Sequence, residues 1–185
     1  NHRVRFMEEC LRVAGRGVII CAPHLNIKNK TAEIKLNQLY KTLSDNDHRW
    51  LKEHIEYGLP NFLPLIKKAN SKKYYTASLF SNDIQSWMLM QSALFTNEKY
   101  PSMASKLVAL NECFNLNFGT DLRYDPESSY RQILFAFKNE IDIKKVKSMS
   151  GSESKKQQVY EIDFIYSIVD YYASLIIHNE EVTKL

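Results

Sequence analysis

RFMEECLRVAGRGVIICAP, at residues 5–23, carries the strongest structural signal in the chain. Its first half repeats apolar side chains near the helical period, which predicts an amphipathic helix that ends at Gly15 and Gly17. Residues 18–22 then form a short apolar run rich in β-branched side chains and bounded by Pro23. Such a run is typical of a strand that is buried on both faces in a parallel sheet. Helix, glycine turn and buried strand are half of an α/β repeat, so we expect the chain to begin partway through an α/β domain.

Two further strand candidates lie downstream, at residues 73–80 (KYYTASLF) and 130–138 (YRQILFAFK). Both are rich in aromatic or β-branched residues, which favour strands. Residues 31–70 read as a mostly helical insertion, in which Thr31 is a plausible N-cap of the first helix. We therefore predict an α/β domain over residues 1–140 with about three strands, the first of them at the apolar run.

The composition changes after this domain. Residues 141–158 are rich in Ser, Lys and Gln, which predicts a linker. Residues 159–183 repeat apolar side chains every three or four positions, which predicts one long amphipathic tail helix. Such a helix has to bury its apolar face. It can do so on its own domain, or through residues 159–181 on a partner helix or a second copy of the chain.

The composition also limits the function classes. Apolar residues make up 44% of the 185 positions and charged residues 25%, so a disordered protein is not expected. The net charge of +4 is spread among interspersed acids and bases, which argues against a nucleic-acid binder. The sequence contains no run of about 18 apolar residues, so we expect no membrane span. Cys10, Cys21 and Cys113 are odd in number and far apart, which predicts reduced thiols in the cytoplasm and no structural zinc.

Two segments resemble the class I S-adenosylmethionine-dependent methyltransferases. Many members have an Arg-Phe-x-x-Glu-x-x-Arg-Val-Ala helix that leads into an Arg-Gly-Val-hydrophobic-Pro strand, and this pattern runs here from Arg5 to Pro23. The later stretch HRWLKEHIEYGLPN, at residues 48–61, is similar to an insertion found in bacterial members linked to glycan assembly. In the family, the strand that comes last in sequence lies last but one in the sheet. Residues 130–138 fit that position, with 73–80 as the partner at the sheet edge.

The resemblance covers about residues 2–138 and implies the C-terminal part of a Rossmann-like methyltransferase sheet. The family holds its cofactor with a Gly-rich loop after the first strand and an acidic residue that ends the second. Glycine lets the backbone approach the ligand, and the carboxylate accepts the ribose hydroxyls. The five glycines, at positions 15, 17, 58, 119 and 151, form no such loop. We therefore expect S-adenosylmethionine to serve the complete domain, and we expect this chain alone to bind none.

His24 is the first candidate for chemistry. Ligands of open α/β sheets lie beyond the C-terminal ends of the strands, and His24 follows the first predicted strand at that position. Its imidazole could contact the acceptor or act as a general base near neutral pH. The alternative is an exposed histidine in a polar loop.

The densest group of polar and aromatic residues starts at His48. Trp50, Glu53, His54 and Tyr57 follow at spacings of three or four, so they share one helix face. A sugar would suit this face, because aromatic rings stack on sugars and Glu or His accepts hydroxyl protons. The alternative is a lid helix packed by Trp50, with His54 hydrogen-bonded. The two histidines do not have the i, i+4 spacing of zinc proteases, so we predict no metal site.

Two functions follow from these patterns. In the first, the chain is the acceptor-side part of a methyltransferase in polysaccharide or surface-glycan biosynthesis. An acceptor oxygen would attack the cofactor methyl directly, and catalysis would rest mainly on positioning. In the second, a degenerate α/β half-domain and the tail helix form a non-catalytic module that binds a partner or makes a homo-oligomer.

Overall fold

The computed structural model describes residues 2–118, 122–123, 125–148 and 168–175. The described parts of the first 148 residues contain four strands and seven α-helices, with one 3-10 turn at Pro101–Met103. None of the described helices is long and apolar enough to cross a membrane. The elements are α1 (His2–Val13), β1 (Gly17–Pro23), α2 (Ile27–Ser44), α3 (Arg49–Tyr57), α4 (Leu63–Ser71), β2 (Tyr75–Asp83), α5 (Ile84–Lys99), α6 (Ala104–Phe118), β3 (Leu122–Arg123), β4 (Ser129–Phe137) and α7 (Glu140–Ser148).

The sheet has the strand order β1-β4-β2-β3, and every neighbouring pair is antiparallel. β4 lies between β1 and β2, so these two strands run in the same direction. Phe137 is opposite Gly17 on one side and Tyr75 on the other, which aligns the starts of β1 and β2. The predicted α/β class and the predicted pairing of the second and third strands are confirmed. The short β3 lies beyond β2, at Phe80 and Ser81.

β1 is not buried on both faces in a parallel sheet, so that part of the prediction was wrong. It pairs antiparallel with β4, and Ile19 is 58% exposed. Successive side chains point to opposite faces of a strand. Val18 and Ile20 therefore face the helices, where they pack with the core that contains Met7 and Leu134. An unbroken apolar run does not tell how many faces of the strand are covered.

The helix after β1 begins earlier than the sequence predicted. α2 starts at Ile27, and Asn26 is its N-cap, with Oδ1 accepting a hydrogen bond from the Lys28 amide at 2.7 Å. Thr31, expected to be the cap, lies inside the helix and donates its hydroxyl to the Ile27 carbonyl at 2.8 Å. Asn is at least as strong a cap as Thr, which explains the earlier start.

A helix also replaces the first half of the predicted linker. α7 has Glu140 and Asp142 in its first turn and lysines in its last turn, an arrangement that complements the helix dipole. Its Ile143 and Val146 are buried against Leu79 and neighbouring side chains of the sheet. The Lys-rich composition therefore belongs to a docked amphipathic helix over residues 141–148. Residues 149–158 lie outside the described residues.

The described part of the predicted tail helix docks on its own domain. Residues 168–175 are helical, and Tyr171 is fully buried in a core cluster with Met90 and Leu110 of α5 and α6. The Tyr171 hydroxyl donates to the Ala93 carbonyl at 2.8 Å. For this segment, docking in cis replaces the alternative of a partner helix. Residues 159–167 and 176–183 of the predicted tail lie outside the described residues.

Candidate functional site

The site is the sheet edge at which β1 and β2 end and β4 begins. In the register of the sheet, Pro23 is opposite Arg131 and Asp83 is opposite Ser129. β1 and β2, which run in the same direction, therefore both end at this edge. The helices α2 and α5 start there. In open α/β sheets ligands bind beyond the C-terminal ends of strands, and both β1 and β2 end here.

His24 lies at this edge, but it is not an exposed loop residue, so that alternative was wrong. It is 6% exposed, its amide donates to the Tyr130 carbonyl at 3.3 Å, and its Nε2 lies 3.0 Å from the Ser129 carbonyl oxygen. A carbonyl only accepts, so Nε2 carries a proton and donates it. His24 therefore fastens the end of β1 to β4. The catalytic role predicted for His24 stays a prediction. In that role only Nδ1 could accept a proton, because Nε2 already donates to the Ser129 carbonyl.

Asn29 of α2 closes the same junction. Its fully buried side-chain amide donates to the His24 carbonyl at 3.0 Å and to the Tyr130 carbonyl at 3.1 Å. Because one amide ties the loop after β1 to the first residues of β4, the strand ends and the start of α2 are held in a fixed relation. This rigidity is what a site that works by positioning requires.

The centre of the site is the carboxylate of Glu33, which is 1% exposed. One of its oxygens, Oε1, accepts hydrogen bonds from the Tyr130 hydroxyl at 2.6 Å and from His54 Nδ1 at 2.9 Å. The Tyr130 ring stacks on Trp87, with ring centroids 3.5 Å apart and an interplanar angle of 16°. A single buried network thus joins α2, α3, β4 and α5.

The network shifts the titration of its two donors. Burial, and then the charge of Glu33, raises the pKa of Tyr130, so its phenol remains a hydrogen-bond donor. The hydrogen bond to Glu33 raises the pKa of His54, against a smaller opposing effect of burial. Both shifts keep the protons that point at the carboxylate in place.

His48 lies apart from this network, in a pocket of aromatic rings. Its ring centroid is 4.9 Å from those of Tyr40 and Phe95 and 5.7 Å from that of Trp50. Burial lowers the pKa of His48, and its Nδ1 is buried without a hydrogen-bond partner among the described residues. These contacts favour a neutral ring that packs. Its predicted role in sugar binding stays a prediction.

The other predicted binding residues lie on the outer face of α3. Trp50 and Tyr57 are 67% and 76% exposed, and Glu53 forms an exposed ion pair with Arg49 at 3.3 Å. Leu51, at 5% exposure, packs the helix in place of Trp50, so that part of the lid alternative was wrong. The structure separates the predicted group into an inner histidine, His48, and an outer strip.

We name the outer strip the α3 strip, defined by Trp50, His54 and Tyr57. The three residues lie at positions i, i+4 and i+7, so they follow one face of the helix. The His54 side chain is 33% exposed, and its Nδ1 reaches inward to Glu33. The strip therefore connects the surface to the buried carboxylate.

A shallow cavity of about 260 Å³ lies between α2 and the start of α5. Ala32, Ile84 and Met88 contribute apolar lining, and Lys28 and Lys35 also line it. The cavity neighbours the Glu33 network through Ala32, which is adjacent to that residue in α2.

The sequence interpretation missed Glu33, Tyr130, Asn29 and Trp87 as members of the site. One signal was present for two of them. Asn29 and Glu33 recur at helical spacing with the buried Leu36, so an amide and a carboxylate stand in the apolar stripe of α2. Buried polar side chains need partners, and that need points to a network.

Three of the five glycines, Gly15, Gly17 and Gly58, lie in the part of the chain that the structure describes. A Cβ at Gly17 would lie 2.1 Å from Phe137 Cδ1, so this glycine serves strand pairing. Gly58 has φ +73° and ends α3, and Gly15 has no atoms within 4 Å of a built Cβ. None of these three lies in a loop that follows a strand. Within the described ranges, no group of three His, Cys, Asp or Glu residues could hold a metal ion.

No protein-family model matches the chain, and neither the curated proteins nor the solved structures contain a match to it.

Proposed function

We propose that this chain is the acceptor-side part of an S-adenosylmethionine-dependent methyltransferase that modifies a polysaccharide or surface glycan in the cytoplasm. The cofactor would be held by residues outside the chain. The strand order β1-β4-β2 carries the proposal. The resemblance places the strand that comes last in sequence between the other two, and β4 has that position.

This order is more specific than an α/β composition. Strands that follow one another in sequence most often pair with each other. Here β4 lies between β1 and β2, although it begins 46 positions after the end of β2 (Asp83 to Ser129). A non-sequential order shared with a family is therefore a stronger argument than a run of hairpins would be.

The α3 strip supports a sugar as the acceptor. Trp50 and Tyr57 are seven positions apart, which corresponds to about 10 Å along a helix, and both rings are exposed. Exposed aromatic rings at this separation can stack on the apolar faces of a short oligosaccharide. The partly exposed His54 lies between them and can hydrogen-bond a hydroxyl.

In this proposal the chain contributes by binding and orienting the acceptor. The aromatic rings would hold the sugar, and the Glu33 network would keep His54 and the end of β1 in fixed positions. Correct orientation of an acceptor oxygen is a large part of the rate acceleration available to a methyl transfer.

Saccharide binding tests the acceptor site directly. Two-dimensional NMR titration of this chain with a panel of neutral and acidic oligosaccharides should move the resonances of α3. We expect Trp50→Ala and Tyr57→Ala to weaken the binding about tenfold or more, the equivalent of about 1.4 kcal/mol. Tyr75→Ala is the matched control, because Tyr75 is 48% exposed at the opposite end of the sheet. Binding that all three variants leave unchanged would exclude the α3 strip as the acceptor site.

A separate experiment tests whether the cofactor is held by residues outside this chain. Isothermal calorimetry of the chain with S-adenosylmethionine should give no binding, while the protein of the full reading frame should transfer labelled methyl groups to a saccharide. Micromolar binding by the chain alone would overturn the assignment of the cofactor to other residues. A full-length protein that methylates no acceptor would overturn the proposed function.

Two observations favour the second candidate, an interaction module. The outer edge of β1 pairs with no strand in the described part of the chain. Phe6 and Val13, seven positions apart on α1, are 59% and 68% exposed. Mass measurement in solution decides for this chain: a dimer that Phe6→Ser disrupts would support the module, and a strict monomer would count against self-association.

A further inference from the structure

We propose that His54 accepts the proton of the acceptor hydroxyl at Nε2, and that Glu33 is the residue that positions it. The inference rests on the proposed function and names the base of that reaction. It depends on the contact between His54 Nδ1 and Glu33 Oε1 at 2.9 Å, and on the exposure of one third of the His54 side chain.

The contact fixes which nitrogen is free. A carboxylate oxygen accepts, so Nδ1 of His54 donates to Glu33 in both the charged and the neutral ring. In the neutral ring the lone pair then resides on Nε2. A carboxylate that holds one nitrogen of an imidazole and leaves the other as the base is the arrangement of the acid–base pair in many hydrolases.

The carboxylate is itself held. Tyr130 donates to the same oxygen at 2.6 Å, and its ring is stacked on Trp87. Glu33 is 1% exposed, so solvent does not compete for it. A buried carboxylate with two fixed donors orients His54 better than an exposed one would.

The other two histidines of the predicted site each lack a property that a base needs, either access to solvent or an oriented ring nitrogen. Nε2 of His24 donates to the Ser129 carbonyl, and the residue is 6% exposed. The ring of His48 is enclosed by Tyr40 and Phe95. Of these three, His54 alone combines an oriented nitrogen with access to solvent.

The position of His54 suits a sugar acceptor. It lies one helical turn from Trp50 and about one turn from Tyr57 on the same face. A sugar stacked on those rings would bring a hydroxyl to Nε2. A base at this place would serve the molecule that the α3 strip binds.

The acceptor oxygen forms a bond to the methyl carbon of a sulfonium donor while the sulfur–carbon bond breaks, and that electron pair remains on sulfur as a neutral thioether. The hydroxyl proton moves to Nε2, which makes His54 an imidazolium stabilised by Glu33. Solvent then takes the proton.

Three charged groups act on His54: Glu33 and Glu53 raise its pKa, and Arg3 lowers it. The net effect is a raised pKa. The neutral, proton-accepting form therefore predominates only above that raised value, and methyl transfer should increase with pH through it. Replacing Glu33 by Gln should move this increase to lower pH.

The first experiment needs no activity. Nitrogen-15 NMR of the imidazole rings in this chain reports the tautomer and the pKa of each histidine. We expect neutral His54 to carry its proton on Nδ1, and Glu33→Gln to lower the His54 pKa. Lys35→Gln, a change at a lysine of the same helix, is the control and should leave the pKa in place. A neutral ring with its proton on Nε2 would overturn the inference, and the wild-type protein alone decides this if the Glu33 variant does not fold.

The second experiment uses the protein of the full reading frame with labelled S-adenosylmethionine. His54→Gln should reduce kcat by about a hundredfold or more, the usual contribution of a general base, with a smaller effect on KM. Glu33→Asp should restore part of the activity lost in Glu33→Gln. If the wild type transfers methyl groups and His54→Gln does so equally well, the inference is wrong while the proposed function stands. If the wild type transfers none, both fall.

Discussion

Tyr130→Phe removes one hydroxyl from the buried network and leaves its ring in place. The hydroxyl lies 2.6 Å from Glu33 Oε1, and the residue is 3% exposed. A hydrogen bond to a charged group contributes about 1.5–3 kcal/mol, and the phenylalanine ring still stacks on Trp87, so no large cavity forms. We therefore expect the free energy of unfolding to fall by about 1.5–3 kcal/mol, which for a chain of this size lowers Tm by about 3–12 °C.

Tyr74→Phe is the matched control for this change. Tyr74 is 8% exposed and donates its hydroxyl to the Leu11 carbonyl at 2.9 Å, so the acceptor is neutral. Its loss should cost about 1 kcal/mol. Urea unfolding followed by circular dichroism measures both values under the same conditions. If Tyr130→Phe costs no more than Tyr74→Phe, the hydroxyl does not stabilise a buried carboxylate and the reasoning about the network is refuted.

Three further predictions concern histidines and a glycine. The pKa of His54 is raised in the folded state, so His54 contributes stability that is fully present below about pH 6.5 and is lost as the pH rises through the raised value. In urea unfolding, the stability advantage of the wild type over His54→Asn should therefore shrink as the pH rises. An advantage that does not depend on pH would contradict this. Burial lowers the pKa of His48, so the contribution of this residue to stability is present above about pH 6.5 and declines as the pH falls. His48→Phe should therefore make the Tm less sensitive to acid. An unchanged dependence of the Tm on acid would refute that. Gly17→Ala should cost about 1–3 kcal/mol in thermal unfolding because its Cβ meets Phe137, whereas Gly15→Ala, with open space around it, should cost less; equal costs would show that the close approach is not tight.

Local patterns predicted elements better than they predicted partners. The apolar run of β1 predicted a strand at the correct place, and the antiparallel pairing with β4 was not visible in it, because that pairing depends on residues more than 100 positions away. The lysine-rich composition after residue 140 predicts a linker, and Ile143 and Val146, the two side chains that dock α7, are too few to change that prediction. In both cases the sequence carried the local signal, and the tertiary contact decided how it was used.

The candidate site shows the same division. His24, His48 and His54 look alike in the sequence, each beside polar residues in a predicted loop or short helix. The structure distinguishes them by what binds their ring nitrogens: a backbone carbonyl holds Nε2 of His24, aromatic rings enclose His48, and Glu33 holds Nδ1 of His54. The last contact joins residues 21 positions apart, and it matters only because Tyr130, 97 positions from Glu33, holds the same oxygen. A histidine's capacity to take a proton is set by such a second contact, so the choice among the three follows from the fold and not from the identity of the residue.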